Sequence, residues 1–303
     1  MFNFSENSCP CGSSRGRALF LSSDFNFGTS SDSAEIRRCR DCSSVYPSKF
    51  PVFNSIGLAY ENYYTLTGRS GLVFGFFSRV SRFLRRSYLR AHIASPPHSL
   101  VDYGCGSGDF LLDVRRRFHG TRLLGVDIVK PVLLASDDSI SWISTSDFMT
   151  SLYDFSAFTA RHSLEHVSDP VSLLDSVCAR LDSGGSIFIS TPNARSFLIS
   201  SFGRFSRDID FPRHRVIFSR SALVRIFQDR GFQVEFYSPP KLNSVFNFFS
   251  CSRNVLKARG FDFMLIIPRL VFSFVFVVLY IFLAWGFLER LVSPEIVLRA
   301  SRR

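Results

Sequence analysis

Between residues 99 and 238 the chain alternates short apolar runs with segments of helical periodicity. The runs predict strands at Leu100–Tyr103, Thr121–Asp127, Ile140–Ser144, Ser156–Ala160, Ser186–Thr191 and Phe232–Tyr237. Helical patterns separate them, as in Pro170–Leu181 and Ser219–Asp229. Strands alternating with helices of this length imply a parallel sheet with right-handed crossovers. Ligands of such sheets sit beyond the carboxyl ends of the strands, near the point where the strand order reverses. A final alternating stretch, Glu295-Ile-Val-Leu-Arg-Ala300, predicts one more strand and completes a set of seven.

The same pattern divides the chain. Residues 1–50 are polar, Ser-rich and Cys-containing. Residues 51–98 hold an aromatic linker (Tyr60, Tyr63, Tyr64) and then a basic amphipathic helix. Residues 99–238 form the alternating core, 239–293 a hydrophobic insertion, and 294–303 the last strand with a basic tail.

Within the insertion, Leu270 to Leu288 is a run of 19 residues without a charge, long enough to span a bilayer. A last strand that rejoins the sheet forbids a single crossing at that place, so a peripheral or re-entrant helix is expected. Gly71 to Ala94 sets Phe77, Val80, Phe83, Leu84 and Tyr88 at helical spacing, among Arg79, Arg82, Arg85, Arg86 and Arg90. Such a helix suits an anionic lipid interface. The competing reading is that both segments cover a substrate cleft or a dimer interface.

Composition narrows the classes. A hydrophobic content of 46% against 20% charged residues excludes a wholly disordered chain. The formal charge of +11 admits nucleic acid, an anionic membrane or an acidic substrate. No basic block of five or more occurs, and the arginines stand beside Phe and Leu, which favours the membrane and excludes nucleic acid as the expected partner. Met1 to Asn7 has neither a basic nor an apolar signal region, and seven cysteines are an odd number for a disulfide framework. The expected location is therefore the cytoplasm, peripheral on the cytoplasmic face of the membrane.

The chemistry centres on Val101-Asp-Tyr-Gly-Cys-Gly-Ser-Gly-Asp-Phe110, a strand that enters a glycine-rich turn and then a helix. Gly104, Gly106 and Gly108 permit positive φ and close approach of a ligand to the backbone. Asp127 ends the next strand, 23 residues after Gly104. A carboxylate there can accept both hydroxyl protons of a ribose. A dinucleotide fingerprint is G-x-G-x-x-G, whereas this turn has Gly104, Gly106 and Gly108 with Asp109 after them.

These segments resemble motif I and its successor in class I S-adenosylmethionine-dependent methyltransferases. Further matches follow in order. Thr145-Ser-Asp-Phe148 resembles the acidic–apolar pair that flanks the adenine. His162-Ser-Leu-Glu-His-Val-Ser-Asp-Pro170 and Leu181-Asp-Ser-Gly-Gly-Ser-Ile-Phe-Ile-Ser-Thr-Pro-Asn193 resemble the segments around strands four and five. Phe211-Pro-Arg-His214, Phe218-Ser219 and Gly231-Phe232 resemble the family's ending. Two departures stand out: Ser156 replaces a usual Asp, and Asp182-Ser183 replaces Lys-Pro. The resemblance implies a Rossmann-like α/β fold with helices on both faces of a seven-stranded sheet. It also implies S-adenosylmethionine as cofactor, bound by Asp102, Gly104, Gly106, Gly108, Asp127, Ile128, Asp147 and Phe148.

A hydroxyl acceptor would profit from a general base, and His162, His166 and His214 are the candidates; each has an equally good structural role. Cys9-Pro-Cys11-Gly12 and Cys39-Arg-Asp-Cys42 form two cysteine pairs, which together can close a tetrahedral zinc site. Methyltransferases of polysaccharide and antibiotic-sugar clusters resemble this arrangement, although the first pair is C-x-C rather than C-x-x-C. The expected acceptor is thus a saccharide, nucleotide sugar or lipid-linked glycan. The rivals are O- or C-methylation of a lipid such as a quinone precursor, and a non-catalytic relic of the fold that binds a membrane or partner.

Overall fold

The computed structural model describes residues 2–52, 93, 95–131, 134, 139–239, 241–260 and 293–302. The apolar run 270–288 and nearly all of the basic helix read at 71–94 lie outside them. Among the described residues no helix is long and apolar enough to cross a membrane. The chain forms two compact units, one comprising Met1–Thr67, Thr191–Leu223 and Ser238–Ile296, the other Gly68–Ser190, Val224–Tyr237 and Val297–Arg303.

The second unit is built on a seven-stranded sheet. Its strands are β6 (Ser99–Tyr103), β7 (Arg122–Asp127), β8 (Ile140–Ser144), β9 (Phe155–Arg161), β10 (Leu181–Pro192), β11 (Phe232–Tyr237) and β12 (Glu295–Arg302). The order is β11-β12-β10-β9-β6-β7-β8. Strands β10, β9, β6, β7 and β8 run parallel, while β11 and β12 pair antiparallel. From β6 the chain moves outward through β7 and β8 and then returns to β9 on the other side of β6. That reversal is where an open α/β sheet binds its ligand.

The predicted strands are all present, and so is the seventh, whose Ile296 and Leu298 are buried. The longest difference is β10, which starts five residues before the predicted Ser186. Asp182, Ser183, Gly184 and Gly185 carry no apolar alternation, and the register against β9 shifts between Leu181 and Ser186. Ser156, at the position usually Asp, exchanges hydrogen bonds with Ser99: each backbone N–H donates to the other's hydroxyl, at 2.9 and 3.1 Å.

Helices α1 (Asp109–Arg117), α2 (Thr145–Thr150) and α3 (Pro170–Arg180) connect these strands. Asp169 caps α3 by accepting from the Ser172 N–H, and Pro170 at the first turn needs no donor. The apolar face of α1, with Phe110, Leu111 and Val114, packs with Leu100, Leu123, Ile140 and Phe188 into one core. Each such side chain contributes about 1.5–3 kcal/mol on burial.

The first unit carries β1 (Phe4–Glu6), β2 (Gly16–Ser23), β3 (Ser33–Cys39), β4 (Val45–Pro47) and β5 (Lys49–Pro51). Strands β2-β3-β4 form an antiparallel sheet, and β1 pairs with β5. Val45 bridges Ile217, with reciprocal backbone hydrogen bonds of 2.9 and 2.7 Å. Ile36, Val45, Ala194, Ile199, Ile209 and Ile217 share a core, near helices α4 (Phe197–Phe202) and α6 (Lys241–Ala258). Helix α5 (Arg220–Gln228) leads back toward β11. The short N-terminal segment therefore folds on the hydrophobic surface of residues 194–217 as well as on its own strands.

Candidate functional site

Beyond the carboxyl end of β6 the chain makes its glycine turn. Gly104, at φ +70°, stands so close to Ser163 that an added Cβ would lie 2.3 Å from that residue's Cβ. Only glycine fits there, and Ser163 fixes the contact by donating to the Tyr103 carbonyl at 2.7 Å. Gly106 differs: at φ +55° it has no atom within 4 Å of where a Cβ would be, so the turn is open at this point. Gly108, also at positive φ, precedes α1, and a Cβ there would strike Leu134.

Asp127 ends β7 beside this opening. Its Oδ2 accepts from the Gly106 N–H and its Oδ1 from the Ile128 N–H, each at 2.7 Å. Burial raises its pKa above the usual aspartate value, against the opposing pull of those two amides. Next to it Ile128 and Val129 expose more than half of their surface, at 56% and 63%. A held carboxylate, an open turn and two exposed aliphatic side chains make a cradle whose polar and apolar parts fit an adenosine. The residues present thus suit S-adenosylmethionine.

Other predicted site residues fall elsewhere. Asp102 has no exposed surface; it accepts from Thr159 Oγ1 at 2.7 Å and from Arg161 Nη2 at 3.2 Å. Phe148 is likewise wholly buried, against Tyr103, Phe155 and Phe158, and offers no face to a ligand. Asp147 beside it is exposed on the first turn of α2, where its N–H is taken by the Ser144 hydroxyl. Sequence reasoning missed Arg161, an arginine that closes an otherwise uncharged strand. A buried Asp102 calls for a cation, and that need was the available signal.

The three histidines differ in setting. His162 follows β9 and is half exposed, with φ +51°. A left-handed backbone at a non-glycine residue costs of order 1 kcal/mol or more and collects at functional sites. Its Nδ1 lies 3.6 Å from Oε1 of the buried Glu165, and its Nε2 is 3.5 Å from the Ser190 hydroxyl. His166 ends a short 3₁₀ turn, Leu164–His166. His214, in the first unit, is buried, with Nδ1 2.7 Å from the Asp208 carbonyl.

In that unit Cys9, Cys11, Cys39 and Cys42 converge: their sulfur atoms all lie within 4.8 Å of one another. Neighbouring Sγ distances are 3.3–3.5 Å, too long for disulfides, and all four thiols are free. Each pair closes on a left-handed residue, Gly12 at φ +78° and Ser43 at φ +64°. The Gly12 N–H donates to the Cys9 carbonyl and the Ser43 N–H to the Cys39 carbonyl. The shortened C-x-C spacing therefore still turns its sulfurs inward. Four thiolates around zinc at bonds of about 2.3 Å sit about 3.8 Å apart, so this donor set fits that ion.

Comparison with known proteins agrees with this geometry. A family model described as a methyltransferase domain matches residues 76–235. Ubiquinone biosynthesis O-methyltransferases from Chromobacterium violaceum and from Xanthomonas campestris pv. campestris (strain B100) are 28% and 31% identical, over 132 and 120 residues. The matches take in 40% and 36% of this chain and 56% and 49% of those proteins, so it spans about half the length of these curated relatives. Among solved structures, an S-adenosylmethionine-dependent methyltransferase from Thermotoga maritima shares the fold, with a TM-score of 0.50 at 14% identity. That match covers 82% of this chain and all of the other. The seven-stranded sheet, the open glycine turn beside Asp127 and the match over residues 76–235 lead to one conclusion: this chain belongs to the methyltransferase-domain family.

Proposed function

We propose that this protein uses S-adenosylmethionine to methylate a saccharide acceptor, such as a nucleotide sugar or lipid-linked glycan. The observation that carries the donor assignment is Asp127, whose carboxylate is held at the open Gly106 by two backbone donors. The sulfonium methyl of the donor is an electrophile already, so the chain must align, exclude water and accept a proton. Asp127 and Ile128 hold the adenosine, and Gly104, Gly106 and Gly108 let the backbone come close. Asp102, locked by Thr159 and Arg161, keeps β6 and β9 in register beneath the turn. Asp147 and Phe148 act at one remove, Phe148 by filling the core under α2.

His162 is the best-placed base for a hydroxyl proton. It stands at the carboxyl end of β9, and the buried Glu165 beside Nδ1 would stabilise the imidazolium. His166 and His214 remain weaker candidates, His214 because it is buried with Nδ1 against a carbonyl. Cys9, Cys11, Cys39 and Cys42 would hold one structural zinc, which supplies folding energy to a segment of short strands.

A phenolic lipid, such as a quinone precursor, is the second acceptor reading, favoured by the O-methyltransferase names of the matched relatives. Peripheral contact with the cytoplasmic face of a membrane fits either acceptor. Strands β11 and β12 flank residues 238–294 and pair with each other, which supports a topology with both ends of that segment on one side of a bilayer. A membrane-impermeant thiol label should reach a cysteine placed after Arg303 only once spheroplasts are opened; labelling before that would reject this arrangement. The acceptor itself is tested by incubating the protein with methyl-labelled donor and fractionated cell-envelope extract. Label in a glycan fraction supports the first reading, label in the quinone fraction the second, and no transfer to any fraction rejects both.

A further inference from the structure

In the first unit, three arginines stand together without an acid. Arg17 on β2 and Arg38 on β3 are directly opposite in the antiparallel ladder, so their side chains leave the same face of the sheet. Ile36, two residues before Arg38, shares that face and packs with Ala194 in one core, which brings the segment carrying Arg195 over it. Arg38 is half-buried, while Arg17 and Arg195 are exposed. Burial, then the charge of Arg195, then that of Arg17 push the Arg38 pKa below the usual arginine value.

Like charges directly opposite one another destabilise a sheet, and here one of them is partly desolvated as well. The arginines beside them have acids: Arg15 pairs with Asp41, and Arg37, one residue from Arg38, pairs with Glu35 at 2.5 Å. Among the described residues no carboxylate pairs with Arg17, Arg38 or Arg195, and Arg38 donates to a neutral acceptor, the Ser43 carbonyl, at 3.3 Å. Cys39 does not substitute, because the next residue of a strand points to the opposite face. An anion lying among the three guanidinium groups would remove the repulsion. A phosphoryl group brings a charge of about −1.5 to −2 and several acceptor oxygens, which suits more than one guanidinium fork. A carboxylate brings about half that charge.

We propose that Arg17, Arg38 and Arg195 form a binding site for a phosphoryl group of the acceptor, the linkage shared by nucleotide sugars and by glycans carried on a lipid phosphate. The anion site stands on the arginines alone. Its assignment to the acceptor rests on the saccharide reading above and deepens it, since a phenolic quinone precursor carries no phosphate. Arg38, anchored through Ser43, sets the position of the anion, and the exposed Arg17 and Arg195 close on it as charge-assisted donors.

Calorimetric titration of inorganic pyrophosphate into the full chain tests the site, with sulfate as the control anion. Pyrophosphate should bind more tightly than sulfate, and Arg17→Gln and Arg38→Gln should each weaken it about tenfold, as a lost charge-assisted contact requires. Because Arg17 and Arg38 repel each other, Arg17→Gln should melt no lower than wild type, which separates lost affinity from lost folding. Uridine diphosphate glucose and geranyl diphosphate then distinguish the two sources, and the one that binds more tightly than pyrophosphate names the carrier. Equal binding of pyrophosphate and sulfate, unchanged affinity in Arg17→Gln, or binding only to vesicles of anionic phospholipid would overturn the site. Pyrophosphate bound through these arginines, with methyl label confined to a quinone fraction, would instead overturn the saccharide reading on which the assignment to the acceptor rests.

Discussion

The Gly106 N–H donates to Asp127 Oδ2 at 2.7 Å, so the glycine turn itself holds the carboxylate proposed to receive the donor's ribose. Burial raises the pKa of Asp127, and protonation would remove one acceptor from the pair of ribose hydroxyls. Affinity for S-adenosylhomocysteine should therefore fall with decreasing pH, starting above the range where an ordinary aspartate protonates. Asp127→Asn should flatten that dependence. A wild-type profile that is flat down to pH 4 would remove the carboxylate from ribose binding.

His162 offers a kinetic prediction. If it takes the acceptor proton, His162→Asn should lower kcat by about 10²–10⁴-fold while leaving S-adenosylhomocysteine affinity unchanged. The acid limb of the pH–rate profile should disappear with it. A variant that keeps its rate would return His162 to a bracing role beside Glu165.

For the cysteine cluster, protein purified without chelators should carry about one equivalent of zinc. Cys39→Ser should release it and increase amide exchange in β3 and β4, since metal binding and folding are coupled there. Metal well below one equivalent, with unchanged exchange in the variant, would contradict zinc.

Arg213 ties the first unit together from a fully buried position. Its guanidinium meets Asp24 at 2.5 Å and Asp210 at 2.8 Å, and lies 4.4 Å from the centroid of the Phe27 ring. Burial alone would raise both aspartates, but the guanidinium outweighs it: Asp24 is lowered, and Asp210 is held at about 2. Both carboxylates thus stabilise the fold above the unfolded aspartate value of 3.8, and that contribution is lost as pH falls toward 2. Amide exchange in residues 24–29 and 207–214 should rise across this window. Arg213→Met should leave two buried carboxylates uncompensated, at a cost of about 3–5 kcal/mol. Exchange unchanged below pH 4 would show that the cluster contributes little.

The parts legible in sequence are those set by local pattern. Apolar runs such as Leu123–Val126 could only be buried strands, and Gly104, Gly106 and Asp127 announced their turn and strand end by spacing alone. What the pattern hid are pairings between distant residues. Asp102 looked like a ligand contact because it precedes the glycines, but Thr159 and Arg161, 57 and 59 positions away, take its oxygens. Phe148 looked like an adenine flank, but the rings of Tyr103, Phe155 and Phe158 enclose it. The contact between Val45 and Ile217 joins segments that no periodicity relates. Nor could spacing alone show that a C-x-C pair brings its sulfurs to the same centre as Cys39 and Cys42.

Asp127 and the turn at Gly106 are proposed to form a site for S-adenosylmethionine. Its most direct test is calorimetric titration of S-adenosylhomocysteine into the wild type and into Asp127→Ala, with NADH as the control ligand. One binding event per chain is expected, weakened by about 2 kcal/mol in the variant, with no heat from NADH. Equal affinity in the two proteins, or binding of NADH in place of S-adenosylhomocysteine, would contradict it.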